Sequence, residues 1–361
     1  MKRTAFYDIH KSLGAKVVEF GGFEMPVQYK GIIEEHNAVR MSVGVFDVSH
    51  MGEFEVRGKD AVAFLQKMTI NDVSKLSEGK AQYSAMCYEN GGIVDDLLVY
   101  HCGDHFMLVV NAANIKKDFD WLNSHLGGDV QLKDISDSIS LLAVQGPNSL
   151  KALQKIADTD LSQIEYYHFA RGSVAGVAMI ISRTGYTGEL GFELYFDSAQ
   201  ATGKEVWEAI FSAGSEFGIM PVGLGARDTL RLEMAFCLYG NDIDQTTNPI
   251  EAGLGWITKP DKGDFVGKRT IVEMKNGGLK RKLVGFTLPE KTLARHGYPL
   301  LVKGNKVGVV TSGTFSPTLQ QGIAMGYVPV EYAHPGMKLE VEVRGKLATA
   351  AVVQTPFIHK T

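Results

Sequence analysis

The spacing of apolar residues changes once along the chain, near residues 274–282, where a glycine pair stands within a basic cluster. Before this point, stretches with helical spacing alternate with apolar runs typical of strands, which predicts a mixture of helices and strands. After it, short apolar runs are separated by turn residues, a pattern typical of a small β-barrel or β-sandwich. The sequence therefore predicts an α+β region over residues 1–275 and a β-domain over residues 280–361.

Four stretches of the first region have the periodicity of amphipathic helices. These predicted helices cover residues 60–69, 113–126, 203–218 and 226–240. In the last of them, Leu230, Met234 and Cys237 would share one face, and Gly240 would end the helix.

Two adjacent aspartates, Asp95 and Asp96, stand inside an apolar run that follows an Asn-Gly pair. Together with the apolar segment before it, this run predicts a β-hairpin whose turn contains the Asn-Gly pair. Side chains alternate along a strand, so the two aspartates face opposite sides, and both sides are apolar. A buried carboxylate is costly without a hydrogen bond or ion pair. Each is therefore either a structural acceptor of backbone N–H groups or a catalytic or ligand-binding group, and Asp96 shares its face with Tyr100.

A third carboxylate, Glu193, follows a glycine-rich turn on a predicted strand in which Phe192, Leu194 and Phe196 take the other face. A carboxylate in this position can accept two parallel N–H hydrogen bonds from a flat heterocycle, as it does from a guanidinium group. The alternative is a side chain on a solvated outer face.

Arg227 lies near the start of the last predicted helix. A cation there opposes the helix dipole by roughly 0.3–1 kcal/mol. An anion or carbonyl oxygen bound at the helix N-terminus would relieve this mismatch. An ion pair with Asp228 or Glu233 is the alternative.

Composition and charge exclude several classes of function. The 361 residues carry a formal net charge of -4 and are 45% hydrophobic and 22% charged, so no basic field indicates a nucleic-acid or membrane partner. Three cysteines without C-x-x-C spacing favour a reducing compartment. We find no signal peptide, no apolar run of membrane-spanning length and no His/Cys spacing typical of a metal site, so we expect a cytoplasmic protein without a metal.

These segments together resemble the aminomethyltransferase, or T-protein, family of the glycine cleavage system. The segments that match, in the family's order, are GAKVVEFGGFEMPVQY, SVGVFDVSHMGEF, ENGGIVDDLLVY, AVQGP, SRTGYTGELGFEL, GLGARDTLRLE, LYGNDID and TSGTFSPTL. They run from near residue 6 to about residue 357. Each is modest alone, whereas the ordered set is specific.

The resemblance implies a three-domain, cloverleaf-like folate-binding fold with a C-terminal β-barrel, in which residues 1–275 form two interleaved subdomains. It implies transfer of a methylene carbon from the S-aminomethyl-dihydrolipoyl arm of a transiently bound H-protein to tetrahydrofolate. The products would be methylenetetrahydrofolate, ammonia and the reduced arm. Tetrahydrofolate would be a co-substrate, and no metal, flavin or pyridoxal phosphate is expected.

The resemblance also implies the roles of particular residues. Asp96 matches the family's catalytic aspartate, Glu193 its pterin-binding glutamate and Arg227 its substrate-binding arginine. Further residues in matching segments are expected to line the pocket: Tyr83, Tyr100, Asn111 and Tyr186.

Two other activities fit the same family of folds. The first is a folate-dependent demethylase of a small methylated compound, although amine-oxidising relatives often carry an added flavin domain for which this chain has no room. The second is a non-catalytic folate-binding protein, a branch marked by a cysteine in a K-G-C-[FY]-x-G-Q-E motif. This chain has LYGNDID there, and we expect Cys237, just upstream, to lie in the core.

Overall fold

The computed structural model describes residues 1–198, 203–289 and 292–359, so the predicted β-domain is described except for residues 290, 291, 360 and 361. The chain forms two compact units that are interleaved in sequence. Unit 1 contains Met1–Leu65, Val73–Tyr83 and Leu97–Arg227. Unit 2 contains Gln66–Asp72, Ser84–Asp96 and Asp228–Thr361. The predicted domain boundary between residues 275 and 280 stays a prediction.

Helices and strands both contribute to the fold, as the α+β pattern predicts. The α-helices are α1 (Tyr7–Ser12), α2 (Ile32–Met41), α3 (Ala61–Met68), α4 (Ile115–Ser124), α5 (Ser149–Gln154), α6 (Gly203–Ala213), α7 (Leu224–Glu233) and α8 (Lys268–Gly277). Single 3₁₀ turns cover Val73–Lys75, Ala112–Asn114, Ser136–Ser138, Leu161–Gln163, Ser215–Phe217, Leu254–Trp256, Pro260–Lys262 and Val330–Tyr332.

The strands before residue 275 are β1 (Lys16–Phe20), β2 (Phe23–Gln28), β3 (Gly44–Asp47), β4 (Gly52–Arg57), β5 (Ala81–Cys87), β6 (Ile93–His101), β7 (Phe106–Val110), β8 (Gln131–Asp134), β9 (Ile139–Gln145), β10 (Phe169–Val174), β11 (Val177–Ser182), β12 (Gly191–Asp197) and β13 (Met220–Pro221). Those after it are β14 (Arg281–Leu288), β15 (Pro299–Val302), β16 (Asn305–Ser316), β17 (Gln321–Pro329), β18 (Lys338–Val343) and β19 (Lys346–Val353).

Unit 1 contains a six-stranded sheet in the order β10-β11-β12-β9-β3-β13, in which only the short β13 pairs in parallel. Its main core packs against this sheet and includes Phe192, Leu194 and Phe196, at most 2% exposed. The predicted apolar face of this strand is therefore confirmed. A second sheet has the order β5-β6-β7-β4-β8, and β1 and β2 form a separate hairpin.

Unit 2 contains a closed barrel in the order β14-β17-β16-β15-β18-β19. Its interior is filled by buried aliphatic and aromatic side chains such as Phe286, Leu300 and Val341. The expectation of a C-terminal β-barrel is therefore confirmed.

All four predicted helices are present, and two of them are clearly shorter than predicted. Helix α6 ends at Ala213, and a 3₁₀ turn over Ser215–Phe217 replaces its predicted end at residue 218. Helix α7 ends at Glu233, so the prediction of a helix to Gly240 is wrong. The chain turns because Ala235 takes a left-handed conformation with φ of 56°, and the N–H of Met234 donates to the carbonyl of Arg231, three residues back. The predicted face of Leu230, Met234 and Cys237 is wrong for the same reason, although Cys237 is buried as expected.

The predicted hairpin is present as β5, a turn and β6. The Tyr88 N–H donates to the Gly92 carbonyl and the Gly91 N–H to the Tyr88 carbonyl, each over 2.8 Å. Gly91 has φ of 79°, a left-handed conformation that glycine adopts at little cost. The Asn-Gly pair thus lies in the turn, as the sequence indicates.

The polar segment around residues 311–319, for which the sequence alone indicates no role, binds buried charges in unit 2. Arg231, 1% exposed, donates to Asp242 over 2.6 Å, to the Phe236 carbonyl over 2.9 Å and to Ser312 over 2.8 Å. We call Arg231, Asp228, Asp242, Thr311 and Ser312 the arginine cluster, since each contacts Arg231 or Asp242.

Glu233 is bound separately in unit 2 and is fully buried. Its carboxylate accepts hydrogen bonds from the Ser316 hydroxyl over 2.5 Å, from the Thr318 N–H over 3.2 Å and from the Thr318 hydroxyl over 2.9 Å. Both carboxylate oxygens therefore have protein partners, and the last turn of α7 is tied to the barrel segment.

Candidate functional site

The glycine-rich loop between β11 and β12 in unit 1 is held in place by the side chain of Gln145, a residue that is 1% exposed. The Gln145 amide donates to the Thr184 carbonyl over 3.1 Å, and its oxygen accepts from the Thr187 hydroxyl over 2.9 Å. Gly185 has to lack a side chain, because a Cβ there would lie 2.1 Å from the Gln145 Oε1 atom. The loop that carries Tyr186 is therefore held in one conformation.

Glu193 lies in the middle of the six-stranded sheet, opposite Ser182 on β11 and Ala143 on β9. Its Oε2 atom accepts hydrogen bonds from the Thr184 hydroxyl and from the Tyr195 hydroxyl, the latter over 3.4 Å. Its Oε1 atom has no hydrogen-bond partner among the residues that the structure describes. Because the side chain is partly exposed, that oxygen remains available to a ligand.

A chain of hydroxyl groups supports this carboxylate. The buried Tyr100 hydroxyl lies 3.1 Å from that of Tyr195, 3.2 Å from that of Thr184 and 3.2 Å from that of Ser182. We call Tyr100, Ser182, Thr184, Glu193 and Tyr195 the glutamate cluster. It fixes one oxygen of Glu193 and leaves the other without a hydrogen-bond partner among the described residues.

The electrostatics of this cluster depend on burial. The pKa of Glu193 is raised overall, because burial raises it by more than the hydrogen bonds from Thr184 and Tyr195 and the positive charge of Arg227 lower it. Burial raises the pKa of Tyr100 and of Tyr195, and the negative charge of Glu193 raises both further. Both phenols therefore stay protonated and act as hydrogen-bond donors or acceptors.

Arg227 lies at the end of unit 1, in the first turn of α7, where the backbone is anchored by Glu35. The Gly223 N–H donates to the Glu35 Oε2 atom over 2.8 Å, while the Oε1 atom accepts from the N–H groups of Tyr29 and Gly31. The Arg227 guanidinium lies 4.7 Å from the centre of the Tyr186 ring, a cation–π distance. An arginine near a helix N-terminus and stacked on an aromatic ring suits an anionic or carbonyl group of a ligand.

Two further polar residues of unit 1 belong to this neighbourhood and were missed by sequence reasoning. His50 is fully buried and Glu53 is 1% exposed, yet neither ring nitrogen and neither carboxyl oxygen has a hydrogen-bond partner in the described part of the chain. Burial and the charge of Arg227 lower the pKa of His50 to about 3. The signal in the sequence is weak: a His and a Glu three residues apart, beside apolar residues such as Val48, Met51 and Phe54.

The two other predicted pocket residues of unit 1 are partly exposed. Tyr83 lies on β5, and Asn111 joins β7 to the following 3₁₀ turn. Their roles stay predictions.

The two aspartates of β6 belong to unit 2 and differ in exposure. Asp95 is fully buried, whereas Asp96 is partly exposed. Burial raises the pKa of the Cys237 thiol, and the charges of Asp242 and Asp96 raise it further, so the Asp96 carboxylate lies within electrostatic range of Cys237. The role of Asp96 stays a prediction.

Chemically, the glutamate cluster and its surroundings in unit 1 offer one free carboxylate oxygen, a guanidinium on an aromatic ring and two buried polar groups. This set suits a flat heterocycle with both donors and acceptors along its edge. In the described residues, no group of three or more His, Cys, Asp or Glu side chains is placed to hold a metal ion. No helix of the described chain is long and apolar enough to cross a membrane.

Comparison with family models and known proteins gives matches along the whole chain. Residues 6–262 match a family model described as the GCVT N-terminal domain. Residues 281–359 match one described as the glycine cleavage T-protein C-terminal barrel domain.

Similar full-length proteins are named aminomethyltransferase. One from Chloroherpeton thalassium is 57% identical and covers 100% of this chain and 99% of that protein. One from Halothermothrix orenii is 52% identical over 99% of this chain and 100% of that protein. The crystal structure of the glycine cleavage system aminomethyltransferase T from Bartonella henselae has a TM-score of 0.92 at 35% identity, with 99% of this chain and 98% of that chain covered.

Proposed function

This chain belongs to the aminomethyltransferase, or T-protein, family of the glycine cleavage system, and we propose that its glutamate cluster binds the heterocycle of tetrahydrofolate. The enzyme is a tetrahydrofolate-dependent transferase. It moves the methylene carbon of an aminomethyl group on a dihydrolipoyl arm to tetrahydrofolate, giving methylenetetrahydrofolate, and it releases ammonia. Tetrahydrofolate supplies the nitrogen that accepts the carbon.

The observation that carries the binding proposal is the half-satisfied carboxylate of Glu193. Thr184 and Tyr195 fix its Oε2 atom, and its Oε1 atom has no protein partner in the described chain. The pterin ring has an N–H and an amino group side by side, which a carboxylate accepts as a pair. The Glu193 carboxylate is thus preorganised as an acceptor, so its side chain loses little conformational freedom when the ligand binds.

Arg227 and Tyr186 would bind a second part of the same ligand. The guanidinium donates to the ring oxygen or to a carboxylate of the tail, and the Tyr186 ring beneath it restricts its orientation. Tyr83, Tyr100 and Asn111 are further proposed pocket residues.

Asp96 is the proposed catalytic residue. Its partly exposed carboxylate would hydrogen-bond and polarise a nitrogen of the bound folate near the transferring carbon, and a placed proton acceptor or donor is typically worth ~10²–10⁴-fold in rate. The remaining acceleration would come from holding the carbon donor and the acceptor nitrogen together. Excluding water matters too, because a free aminomethyl thiol would lose its carbon to hydrolysis.

The proposed partner is the lipoylated H-protein of the same system. Its arm has to arrive and leave in each cycle, so we propose a small, transient interface. We propose a cytoplasmic location, with no nucleic-acid or membrane partner and no metal, flavin or pyridoxal phosphate.

The test of the proposed function is ammonia release from chemically aminomethylated, lipoylated H-protein, with and without tetrahydrofolate. We expect release that depends strongly on tetrahydrofolate. No release from a protein that still binds tetrahydrofolate in a separate titration would contradict the transferase reaction and favour the demethylase or the non-catalytic relative.

A further inference from the structure

The side-chain carboxyl of Glu53 is a buried acidic group whose surroundings, in the described part of the chain, offer it no hydrogen bond. Glu53 lies on β4, opposite Val109 of β7, and is 1% exposed. Neither carboxyl oxygen has a partner among the described residues. Buried polar groups are almost always hydrogen-bonded, so such an exception calls for an explanation.

The surroundings of Glu53 determine its ionisation state. Burial raises its pKa well above the usual value, and the negative charges of Asp134 and Glu193 raise it further. Burial raises the pKa of Glu193 too, but two hydroxyl donors and the charge of Arg227 offset part of that rise, and Glu53 has no such compensation. When two acids share one buried region, the one with hydrogen-bond donors ionises first and the other keeps its proton.

A protonated carboxyl differs from a carboxylate because it carries an O–H donor. Glu193 and Glu53 therefore present an acceptor and a donor in one neighbourhood, since the charge of each affects the same phenol, Tyr195. The edge of a 2-amino-4-oxo heterocycle alternates in the matching sense: its two adjacent N–H donors are flanked by acceptors, the ring nitrogen on one side and the oxo group on the other.

We propose that Glu53 is a further ligand-binding residue of this site, whose carboxylic acid donates a hydrogen bond to an acceptor atom flanking the N–H groups that Glu193 accepts. This inference rests on the proposed binding of tetrahydrofolate by the glutamate cluster. It adds a residue and a specificity element: the site selects an edge that offers acceptors beside its donors.

The test compares Glu53→Gln with Glu53→Met by titrating tetrahydrofolate under reducing conditions and by measuring the melting temperature without ligand. The amide of Glu53→Gln keeps an N–H donor, so we expect affinity within threefold of the wild type. Glu53→Met has similar length and no donor, so we expect affinity at least 10-fold weaker, equivalent to about 1.4 kcal/mol. Its ligand-free melting temperature should rise, because a buried polar group without a partner is removed.

Glu55→Gln is the matched control, because Glu55 lies two residues along the same strand and its carboxylate accepts from Arg57. We expect wild-type affinity from it. Unchanged affinity in Glu53→Met would overturn the proposal. Equal losses in Glu53→Gln and Glu53→Met would also overturn it, because they would mean that an ionised carboxylate is needed.

The wild-type titration separates this inference from the proposed function. If the wild type does not bind tetrahydrofolate, the proposed function fails, and the melting temperature of Glu53→Met decides the remaining question. A melting temperature above that of the wild type would support Glu53 as a hydrogen-bond donor to a different heterocycle. A melting temperature below it would mean that Glu53 has a structural role and would overturn the inference.

Discussion

Each unit contains a polar network, and the two networks use similar side chains in different ways. We call the arginine cluster together with Glu233 the closed network of unit 2, and the glutamate cluster together with Glu53 the open network of unit 1. In unit 2, Arg231, Asp242 and Glu233 are nearly inaccessible, and each has protein partners for its charge. In unit 1, the Oε1 atom of Glu193 and both carboxyl oxygens of Glu53 have no hydrogen-bond partner among the described residues.

We propose that this difference separates structural charges from ligand-binding ones. Burying a charge is tolerable only where hydrogen bonds or an opposite charge replace water. Unit 2 makes that replacement from its own chain, which ties α7 to the barrel. In unit 1, some of the hydrogen bonds that would replace water are missing. This is expected of a site whose remaining hydrogen-bond partners belong to a ligand.

The largest expected effect comes from the two aspartates of β6, which differ in burial: Asp95 is fully buried and Asp96 is partly exposed. Asp96→Asn should fold, bind tetrahydrofolate normally and lose ~10²–10⁴-fold in turnover, because it removes the proposed catalytic carboxylate. The check is the rate of ammonia release from aminomethylated H-protein. Asp95→Asn, at a fully buried position, should instead lower the free energy of unfolding. Normal turnover in Asp96→Asn would remove Asp96 from the mechanism.

Breaking the closed network should lower the free energy of unfolding and leave the affinity for tetrahydrofolate unchanged. Arg231→Met leaves Asp242 buried without its cation, so we expect the free energy of unfolding to fall by about 3–5 kcal/mol, measured by urea denaturation. The protein that remains folded should bind tetrahydrofolate with wild-type affinity. Arg269→Met is the control, since Arg269 forms an exposed pair with Glu273 and should change stability little. A loss below about 1 kcal/mol in Arg231→Met would show that the network is not structural.

We expect the open network to make the free energy of unfolding depend on pH through Glu53. The raised pKa of Glu53 means that the native state keeps a proton which the unfolded chain releases near the ordinary value of 4.5. Above that pH the native state binds more protons, so the free energy of unfolding falls as pH rises towards the native pKa. The stability that the protonated Glu53 carboxyl contributes is therefore fully present below pH 4.5 and is lost as the pH rises towards the native pKa.

Glu53→Gln removes this titration while leaving Asp134 and Glu193, the acids that act on Glu53, in place. Urea denaturation of the variant and the wild type at several pH values should therefore show the wild type losing stability relative to Glu53→Gln as pH rises. Parallel curves across that range would mean that Glu53 ionises normally.

The smallest expected effect is at Tyr186. Tyr186→Leu removes the ring under Arg227 and should weaken tetrahydrofolate binding about 2- to 5-fold, from a cation–π contact of about 0.5–1 kcal/mol. Tyr186→Phe keeps the ring and should bind like the wild type in the same titration. Equal weakening by both variants would assign the effect to the hydroxyl instead.

Local pattern was sufficient for much of the fold and for the strand face on which Glu193 lies. The hairpin of β5 and β6 follows from its Asn-Gly turn, and the face of Glu193 follows from strand alternation. The early end of α7 could not be predicted, because Ala235 turns the chain while the Arg231 side chain binds the Phe236 carbonyl.

Long-range contacts account for the rest. The serine and threonine side chains of residues 311–319 contact Glu233 and Asp242, which are 69–85 positions away in sequence. The sequence could not single out Glu53, because its distinguishing feature is the absence of a contact. What distinguishes it is a missing partner, and no spacing of residues in a sequence records a missing hydrogen bond.

The most direct test of the difference between the two networks is the same substitution made once in each. Glu193→Gln and Glu233→Gln should be compared by tetrahydrofolate titration and by urea denaturation under one set of conditions. We predict that Glu193→Gln loses at least 10-fold in affinity with nearly unchanged stability. Glu233→Gln should lose about 1–3 kcal/mol of stability with unchanged affinity, because its hydrogen bonds are internal. Wild-type affinity in Glu193→Gln, or an equal loss of affinity in both variants, would contradict the account.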